Sequence, residues 1–335
     1  MTPVRIAING FGRIGRAFIR RSWNRPDVEI VAVNDLGSLE NLAYLLKYDT
    51  VYGRAPFSVA IDEGSLVING KLVRFISEKD PSALPWKELN VDVVIESTGV
   101  FDDFEKAQAH VAAGAKRVVI SAPAKGENGA TVLMGVNEEK LNTCQVSSNA
   151  SCTTNASSPV IAILDEAIGI EYAVLSTTHA YTATQSIVDS PVKGSDLRRG
   201  RAAAQNIVPS STGAAIAVGK AYENLDGRFD GVSLRVPVPA GSIADITFIA
   251  KRDTTAQEVN ELLRKANSDP RWEGVFRASD DPLVSSDIVG EPYASIAELS
   301  MTRVVGPRLV KVMAWYDNEM GYTESLVRHA VKAGS

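Results

Sequence analysis

The sequence contains few of the residues that build disulfide frameworks or metal centres. Two cysteines and three histidines in 335 residues leave little scope for either, and no cluster with metal-ligand spacing is found. The amino terminus enters a strand-like run at once, and no signal peptide or membrane span is visible. A net charge of −5 argues against a nucleic-acid-binding surface over the whole protein. We therefore expect a soluble, cytoplasmic protein that binds neither membrane nor nucleic acid.

Length and composition are those of a globular protein with a sizeable core. The 335 residues suggest about two domains, and the 45% hydrophobic content is ordinary. We find no internal repeat and no low-complexity tract.

A glycine motif follows the first strand-like run. Val4 to Ile8 is apolar, as a buried parallel strand would be, and leads into Gly10, Gly12 and Gly15 in the spacing GxGxxG. A helical stretch and a second strand come next, and that strand ends at Asp35. This is the dinucleotide-binding pattern, in which glycine lets the pyrophosphate approach a helix N-terminus and the carboxylate binds a ribose hydroxyl.

Further strands and helices alternate along the first half of the chain. They include a hairpin at Asn69-Gly70, a buried strand over residues 91–96 and another over 117–122. Because a doubly wound sheet binds its ligand at the carboxyl ends of its strands, we expect the loops after these strands to line a cofactor groove. The residues concerned are Thr98, Gly99, Ser121 and Ala122.

The stretch Ser148 to Asn155 places Cys152 among small polar residues, just before a helix-like run from Pro159 to Ile168. A cysteine near a helix N-terminus is expected to have a lowered pKa and to be nucleophilic. His179, at the end of a strand-like run, is the candidate base. Such a pair suits covalent catalysis on a carbonyl. Cys144 has no comparable setting, and we assign it no role.

Beyond Cys152 the strands become longer, which indicates a second domain of α+β type. A long polar segment over residues 181–206 carries Arg198, Arg199 and Arg201. Loops of this length are usually functional or interfacial, so these arginines favour a phosphate or subunit contact. The predicted fold is therefore α/β, with a Rossmann-type doubly wound sheet domain and a catalytic domain whose sheet is mostly antiparallel.

Over essentially its whole length, the chain resembles the phosphorylating glyceraldehyde-3-phosphate dehydrogenase family. The motifs that carry the resemblance stand in the family's order. They include Asn9-Gly-Phe-Gly-Arg-Ile-Gly-Arg, Ser97-Thr-Gly, Ser148-Asn-Ala-Ser-Cys-Thr-Thr-Asn, His179-Ala-Tyr-Thr, Asp196-Leu-Arg-Arg, Ser211-Thr-Gly-Ala-Ala and Trp315-Tyr-Asp-Asn-Glu-Met-Gly-Tyr.

The resemblance implies an activity and its site residues. Cys152 would attack the aldehyde of glyceraldehyde 3-phosphate, with His179 in an ion pair with the thiolate and active in proton transfer. NAD would take the hydride, and inorganic phosphate would release 1,3-bisphosphoglycerate from a thioester. The residues implied for substrate and phosphate binding are Ser151, Thr153, Thr182, Arg199, Thr212, Gly213 and Arg235. Those assigned to the cofactor are Asn9, Gly10, Phe11, Gly12, Arg13, Ile14, Gly15, Asp35, Lys79, Thr98, Gly99, Ser121, Ala122, Asn318 and Tyr322.

The resemblance also implies an organisation of the chain. Residues 1–151 and 319–335 would form the NAD-binding domain, and residues 152–318, with the arginine-bearing loop at about 181–206, the catalytic domain. Family members assemble as homotetramers, so we expect a homotetramer. Asp35 should repel a 2′-phosphate, which favours NAD, although Gly37 and Ser38 leave room for some use of NADP.

Three positions depart from the family's pattern, namely Ala156, Thr184 and Ile216.

Three alternative functions also stay open. Erythrose-4-phosphate dehydrogenase shares the Cys/His pair, semialdehyde dehydrogenases combine a cysteine with a Rossmann domain, and the same fold could serve a non-catalytic binding role.

Overall fold

The computed structural model describes residues 2–192 and 194–335, so Lys193 of the predicted arginine-bearing loop lies outside the described residues. The chain forms two compact units. The first comprises the residues up to Val132 together with Glu138–Ala150 and Thr323–Ser335, and the second comprises Leu133–Asn137 and Ser151–Tyr322. None of the described helices is both long and apolar enough to cross a membrane.

The described residues form seven α-helices. They are α1 (Arg13–Ser22), α2 (Leu39–Lys47), α3 (Phe104–Ala112), α4 (Cys152–Ile168), α5 (Ala214–Ala221), α6 (Ala256–Ala266) and α7 (Met320–Gly334).

The first unit contains a nine-stranded sheet and a short two-stranded one. The strands are β1 (Val4–Asn9), β2 (Val28–Asn34), β3 (Tyr48–Asp49), β4 (Gly53–Arg54), β5 (Val59–Asp62), β6 (Ser65–Ile68), β7 (Lys71–Ile76), β8 (Val93–Glu96), β9 (Arg117–Ile120), β10 (Ala130–Thr131) and β11 (Val146–Ser148). The large sheet has the order β10-β11-β9-β8-β1-β2-β7-β6-β5, and β3 pairs with β4.

The central strand β1 lies between β2 and β8, and all three run parallel. The chain crosses over on opposite sides of β1, which makes its carboxyl end the switch point where an open α/β sheet binds its ligand. The hairpin between β6 and β7 is confirmed at Asn69-Gly70, where both residues have positive φ (47° and 77°), as a two-residue turn of this kind requires.

The second unit contains an eight-stranded sheet. Its strands are β12 (Ile170–Ala180), β13 (Val208–Ser211), β14 (Phe229–Val236), β15 (Ser242–Ala250), β16 (Phe276–Ser279), β17 (Ser295–Glu298), β18 (Arg303–Val305) and β19 (Leu309–Tyr316). Most pairs are antiparallel; β12–β14 and β16–β17 are parallel. This is the mixed architecture predicted from the sequence. The apolar sides of helices α4 and α6 and one face of the sheet form a single buried hydrophobic core.

One boundary prediction was wrong in a way that matters for function. The sequence suggested a helix from Pro159, because proline favours a first helical turn. The helix α4 instead begins at Cys152, and Pro159 lies inside it. Ser151 caps the helix by accepting a hydrogen bond from the Thr154 amide (3.0 Å). Cys152 is therefore the first helical residue rather than a loop residue seven positions before the helix.

A fully buried histidine joins α7 to the strand β11 within the first unit. His329 Nε2 lies 2.8 Å from Ser147 Oγ, and Nδ1 lies 3.1 Å from Asn149 Oδ1. Burial lowers the pKa of His329 to about 3 from the usual 6.5, because the imidazolium cannot be solvated there. The folded state thus favours the neutral ring, and the stability that follows from this is complete above pH 6.5 and is lost as the pH falls toward 3.

We expect the protection of the α7 and β11 amides against hydrogen exchange, corrected for the intrinsic rate, to fall between pH 6.5 and 5. One unmatched proton corresponds to about 1.4 kcal/mol per pH unit. His329→Gln should reduce this pH dependence, whereas Ser147→Ala, which keeps the buried ring, should retain it. Equal pH dependence in His329→Gln and the unaltered chain would contradict the assignment.

Candidate functional site

The glycine motif forms a tight turn between β1 and α1 in the first unit. Gly10 has φ of 96°, and a Cβ there would lie 2.5 Å from the Thr98 amide nitrogen. A Cβ at Gly15 would lie 2.3 Å from the Gly10 carbonyl, so glycine permits the close approach of helix and turn. Gly12 caps α1 and has open space where its side chain would be. This open cradle at a helix N-terminus fits the pyrophosphate of a dinucleotide.

Asp35 follows β2 at the same edge of the sheet. Its Oδ2 accepts a hydrogen bond from the Phe11 amide (2.6 Å), and its Oδ1 accepts one from the Gly37 amide (2.7 Å). These two bonds hold the carboxylate beside the glycine turn, and each oxygen keeps a lone pair for a ribose hydroxyl. The Phe11 side chain itself is buried in the core.

The loops after β8 and β9 complete this edge. Ser97 Oγ donates to the Gly10 carbonyl (2.7 Å), and the Thr98 amide and hydroxyl both donate to Glu96. Gly99 has φ of 72°, and Ser121 and Ala122 follow β9. The structure therefore brings Asn9, Gly10, Gly12, Asp35 and Thr98 to the carboxyl ends of adjacent strands.

Other predicted cofactor residues have different settings. Lys79 is exposed in the loop after β7. Arg13 forms an ion pair with Asp49 (2.5 Å). Asn318 and Tyr322 are buried and belong to the second unit, where Asn318 Oδ1 accepts a hydrogen bond from Ser242 Oγ (3.2 Å).

The cysteine and histidine predicted to act together meet in the second unit. Cys152 Sγ lies 3.3 Å from His179 Nε2. Cys152 is at the first turn of α4, and His179 is near the end of β12. Cys152 is partly exposed, whereas His179 is only 3% exposed. A partly accessible thiol in hydrogen-bond contact with a fixed imidazole can carry out nucleophilic chemistry.

The other ring nitrogen of His179 has two competing partners. Nδ1 lies 2.6 Å from the Ala180 carbonyl oxygen and 2.7 Å from Arg235 Nη1. A proton on Nδ1 would be donated to Ala180 and would leave Nε2 free to accept the thiol proton. A bare Nδ1 would accept from Arg235 and would place the proton on Nε2, facing the sulfur. Arg235 Nη1 also donates to Ala180 O (3.2 Å), so it keeps an acceptor in either case.

Burial opposes charge at both members of the pair. It lowers the pKa of His179 to about 3, and the nearby positive charge of Arg235 acts in the same direction. Burial also raises the pKa of the Cys152 thiol, although Arg235 and hydrogen bonds from Thr153 act in the opposite direction. The direction of the Cys152 shift is therefore opposite to the lowered pKa that we predicted, because desolvation of the thiolate is the largest contribution.

Arginine and hydroxyl groups lie close to this pair. Arg235 is the register partner of His179 across β12 and β14. Arg199 donates to Ser210 Oγ (2.9 Å from Nη2) and to Thr184 Oγ1 (3.4 Å). Thr184 Oγ1 in turn lies 2.9 Å from Thr182 Oγ1. The departure at Thr184 thus supplies a neutral hydroxyl that links two predicted phosphate-binding residues.

The remaining predicted phosphate ligands lie at two helix N-termini. Ser151 and Thr153 belong to the first turn of α4, and Thr212 and Gly213 immediately precede α5. Thr212 Oγ1 accepts a hydrogen bond from the Ala214 amide (3.2 Å). Helix N-termini with adjacent hydroxyls favour anions.

Sequence reasoning assigned no role to Tyr316, which the structure places at the centre of the site. Its buried hydroxyl lies 2.9 Å from Thr153 Oγ1 and 2.7 Å from Thr177 Oγ1, and its ring meets His179 edge-on at 5.9 Å. Burial raises the pKa of the Tyr316 hydroxyl well above its usual value, so the hydroxyl stays protonated. Its motif, Trp315-Tyr-Asp-Asn, was noted in the sequence, but only folding shows that this ring reaches residues in α4 and β12.

Comparisons with known proteins agree with this arrangement. Residues 4–104 match the family domain described as "Glyceraldehyde 3-phosphate dehydrogenase, NAD binding domain", and residues 151–318 match the corresponding C-terminal domain. The chain is 48% identical over 335 residues to glyceraldehyde-3-phosphate dehydrogenase 2 of Streptomyces arenae, with 99% of each chain covered. It is 47% identical, at the same coverage, to the glyceraldehyde-3-phosphate dehydrogenase of Streptomyces coelicolor.

The resemblance seen in the motifs is therefore confirmed, and NAD is the cofactor of its nucleotide-binding domain. With a Rossmann-type first unit, a Cys152–His179 pair in the second and near-complete coverage by its relatives, the chain belongs to the glyceraldehyde-3-phosphate dehydrogenase family.

Proposed function

We propose that the protein oxidises D-glyceraldehyde 3-phosphate with NAD and inorganic phosphate to 1,3-bisphosphoglycerate, as a glycolytic or gluconeogenic enzyme. The 3.3 Å contact between Cys152 Sγ and His179 Nε2 at the start of α4 carries this proposal. It provides a nucleophile and a proton acceptor in one place, which covalent oxidation of an aldehyde needs.

In the first step, Sγ adds to the aldehyde carbon while its proton passes to Nε2 of His179. The imidazolium then donates a hydrogen bond to the oxygen of the thiohemiacetal, and its Nδ1 proton is held by the Ala180 carbonyl (2.6 Å). Bound NAD supplies the acceptor for the hydride that leaves the thiohemiacetal carbon, so that a thioester to Cys152 remains. Inorganic phosphate attacks the thioester carbonyl and expels the Cys152 sulfur, which regains a proton from His179.

Two anions have to be bound during this cycle. We assign the substrate phosphate to Thr182, Arg199 and Arg235, and inorganic phosphate to Ser151, Thr153, Thr212 and Gly213. The guanidinium of Arg235 and the two helix N-termini support this assignment, since both favour phosphate oxygens. Arg235 contacts His179 as well (2.7 Å), so a bound phosphate would compete for the same guanidinium.

We assign the cofactor to the first unit, at the edge formed by the glycine turn and Asp35. The cofactor role implied for Asn318 and Tyr322 stays a prediction. Asp35 supports a preference for NAD over NADP, because its carboxylate would repel a 2′-phosphate. The cytoplasmic location predicted from composition stays a prediction.

A homotetramer is the assembly that we propose. Apolar side chains on β12 and β14 support it: Tyr172, Val174 and Val232 are 57%, 54% and 53% exposed, more than a free sheet face usually offers to water. In the arginine-bearing loop, Ile187 and Leu197 are exposed to 87% and 76%.

Light scattering after gel filtration should give a mass four times that of the chain. A monomer would contradict the proposed homotetramer.

The proposed activity predicts NADH formation from glyceraldehyde 3-phosphate that depends on inorganic phosphate. Cys152→Ser should lower the rate by about 10³-fold or more, because a serine hydroxyl is a far weaker nucleophile beside a neutral imidazole. Cys144→Ser is the matched control and should leave the rate unchanged. A higher kcat/KM with erythrose 4-phosphate, or full activity in Cys152→Ser, would contradict the proposal.

Tyr316→Phe should raise the KM for inorganic phosphate by about threefold to tenfold, the loss expected for one neutral hydrogen bond. The physical reason is that the Tyr316 hydroxyl holds the Thr153 hydroxyl in place. Without it, Thr153, which we propose binds this phosphate, is no longer fixed. The KM for NAD should change little. Val310→Ala, which alters a buried side chain on the same strand, controls for general loosening. An unchanged KM for phosphate in Tyr316→Phe would remove this role.

A further inference from the structure

A buried carboxylate outside the proposed catalytic groups lies directly behind the cofactor turns of the first unit. Glu96 ends β8 and is the register partner of Asn9 in β1. Its side chain is 1% exposed, and that of the neighbouring His110 is 0% exposed. Its Oε2 lies 2.5 Å from Asn9 Nδ2 and 3.0 Å from His110 Nε2. Its Oε1 lies 2.8 Å from the Thr98 amide and 2.5 Å from the Thr98 hydroxyl oxygen.

The direction of the hydrogen bond from Asn9 to Glu96 follows from a backbone amide that bonds to Asn34, which in turn bonds to Asn9. The Glu78 amide donates to Asn34 Oδ1 (2.9 Å), which identifies the other end of this side chain as Nδ2. Asn34 Nδ2 then donates to Asn9 Oδ1 (2.7 Å). The Asn9 amide group is therefore oriented with its NH₂ toward Glu96.

A second side-chain donor is fixed in the same manner. The indole N–H of Trp86 donates to His110 Nδ1 (3.0 Å), so the ring is neutral and its single proton is on Nε2, facing Glu96. The Thr98 backbone amide is a third fixed donor. The Val100 amide donates to Thr98 Oγ1 (3.1 Å) and occupies one of the two lone pairs of this hydroxyl oxygen.

Four hydrogen bonds thus converge on one carboxyl group. Three of them are donated to it in a direction fixed by an amide or indole N–H, namely those from Asn9 Nδ2, His110 Nε2 and the Thr98 amide. The Thr98 hydroxyl lies against the same carboxyl group and can donate or accept. Among the described residues, the hydrogen-bond partners of Glu96 are amide, hydroxyl and neutral imidazole groups, without a lysine or arginine.

A buried carboxyl group without a cationic partner is costly, so its four hydrogen bonds must fix something that hydrophobic packing would not. They fix the two turns that meet at the switch point. Asn9 leads into the turn at Gly10, and Thr98 belongs to the turn after β8. The two turns are so close that a Cβ at Gly10 would lie 2.5 Å from the Thr98 amide nitrogen. Ser97 Oγ donates to the Gly10 carbonyl and joins the same turns directly (2.7 Å).

We propose that Glu96 is a positioning residue for NAD: a buried carboxyl group that holds the Asn9-Gly10 and Thr98-Gly99 turns in the geometry that binds the dinucleotide. The inference rests on the proposed cofactor role of these two turns. His110 and Trp86 act behind Glu96 by keeping the imidazole proton directed at it.

The test measures the Kd for NAD by calorimetry on the purified full-length chain. Glu96→Gln preserves shape but replaces one acceptor oxygen by an NH₂ group. If the remaining oxygen keeps the bonds from Asn9 Nδ2 and His110 Nε2, this NH₂ group faces the Thr98 amide N–H. The substitution should raise the Kd for NAD about tenfold or more, because buried donors lose their acceptor. At saturating NAD, kcat should fall much less, and the rate of alkylation of Cys152 without NAD should not change. Ile95→Ala, on the opposite face of β8, should destabilise the unit yet leave the Kd unchanged.

A Kd for NAD in Glu96→Gln equal to that of Ile95→Ala would overturn the inference.

These outcomes are separable from the proposed function. If the unaltered chain shows phosphate-dependent turnover and Glu96→Gln binds NAD normally, the inference alone is wrong. If the unaltered chain binds NAD and Glu96→Gln does not, but glyceraldehyde 3-phosphate is not oxidised, the inference stands and the proposed function is wrong.

Discussion

The contact between Cys152 Sγ and His179 Nε2 is the interaction on which the rest of the second unit depends. Helix α4 begins at the cysteine, β12 carries the histidine, and β19 supplies Tyr316, whose hydroxyl joins α4 to β12. All three elements direct polar groups into this point. Because His179 is 3% exposed, burial disfavours the charged imidazolium. The ring is therefore neutral before the reaction, and its Nε2 can accept a proton.

The two units bury polar groups in different ways. In the first, the Glu96 carboxyl group is hydrogen-bonded by amide, hydroxyl and imidazole groups, which fix backbone turns. In the second, the partly buried cation Arg235 lies against a histidine nitrogen and a carbonyl oxygen. The first arrangement is rigid because its amide and imidazole donors each have a fixed direction. The second can change, since one ring nitrogen has two alternative partners.

Much of the fold could be predicted because its signals are local. The spacing of Gly10, Gly12 and Gly15 after an apolar strand reports a turn that only glycine permits, and Asn69-Gly70 reports a hairpin turn. The start of α4 could not be read, since Pro159 looks like a first helical residue while Ser151 is the actual cap. The raised pKa of Cys152 was missed for a related reason: exposure depends on what the other strands cover.

The polar networks were beyond sequence reasoning altogether. Asn9 and Glu96 are 87 positions apart, and nothing in either neighbourhood indicates that they meet. Tyr316 and Thr153 are separated by 163 positions. By contrast, the Cys152–His179 pair was predictable because few cysteines and histidines exist to choose from, and the family's motifs contain both.

The most direct test of the account is to trap the covalent intermediate on Cys152. The purified chain would be mixed with NAD and glyceraldehyde 3-phosphate in phosphate-free buffer, quenched in acid and examined by mass spectrometry of its peptides. The account predicts a 3-phosphoglyceroyl thioester on the peptide that contains Cys152, lost within the mixing time when inorganic phosphate is added. An unmodified Cys152 peptide, or an adduct on another residue with NADH already formed, would contradict it.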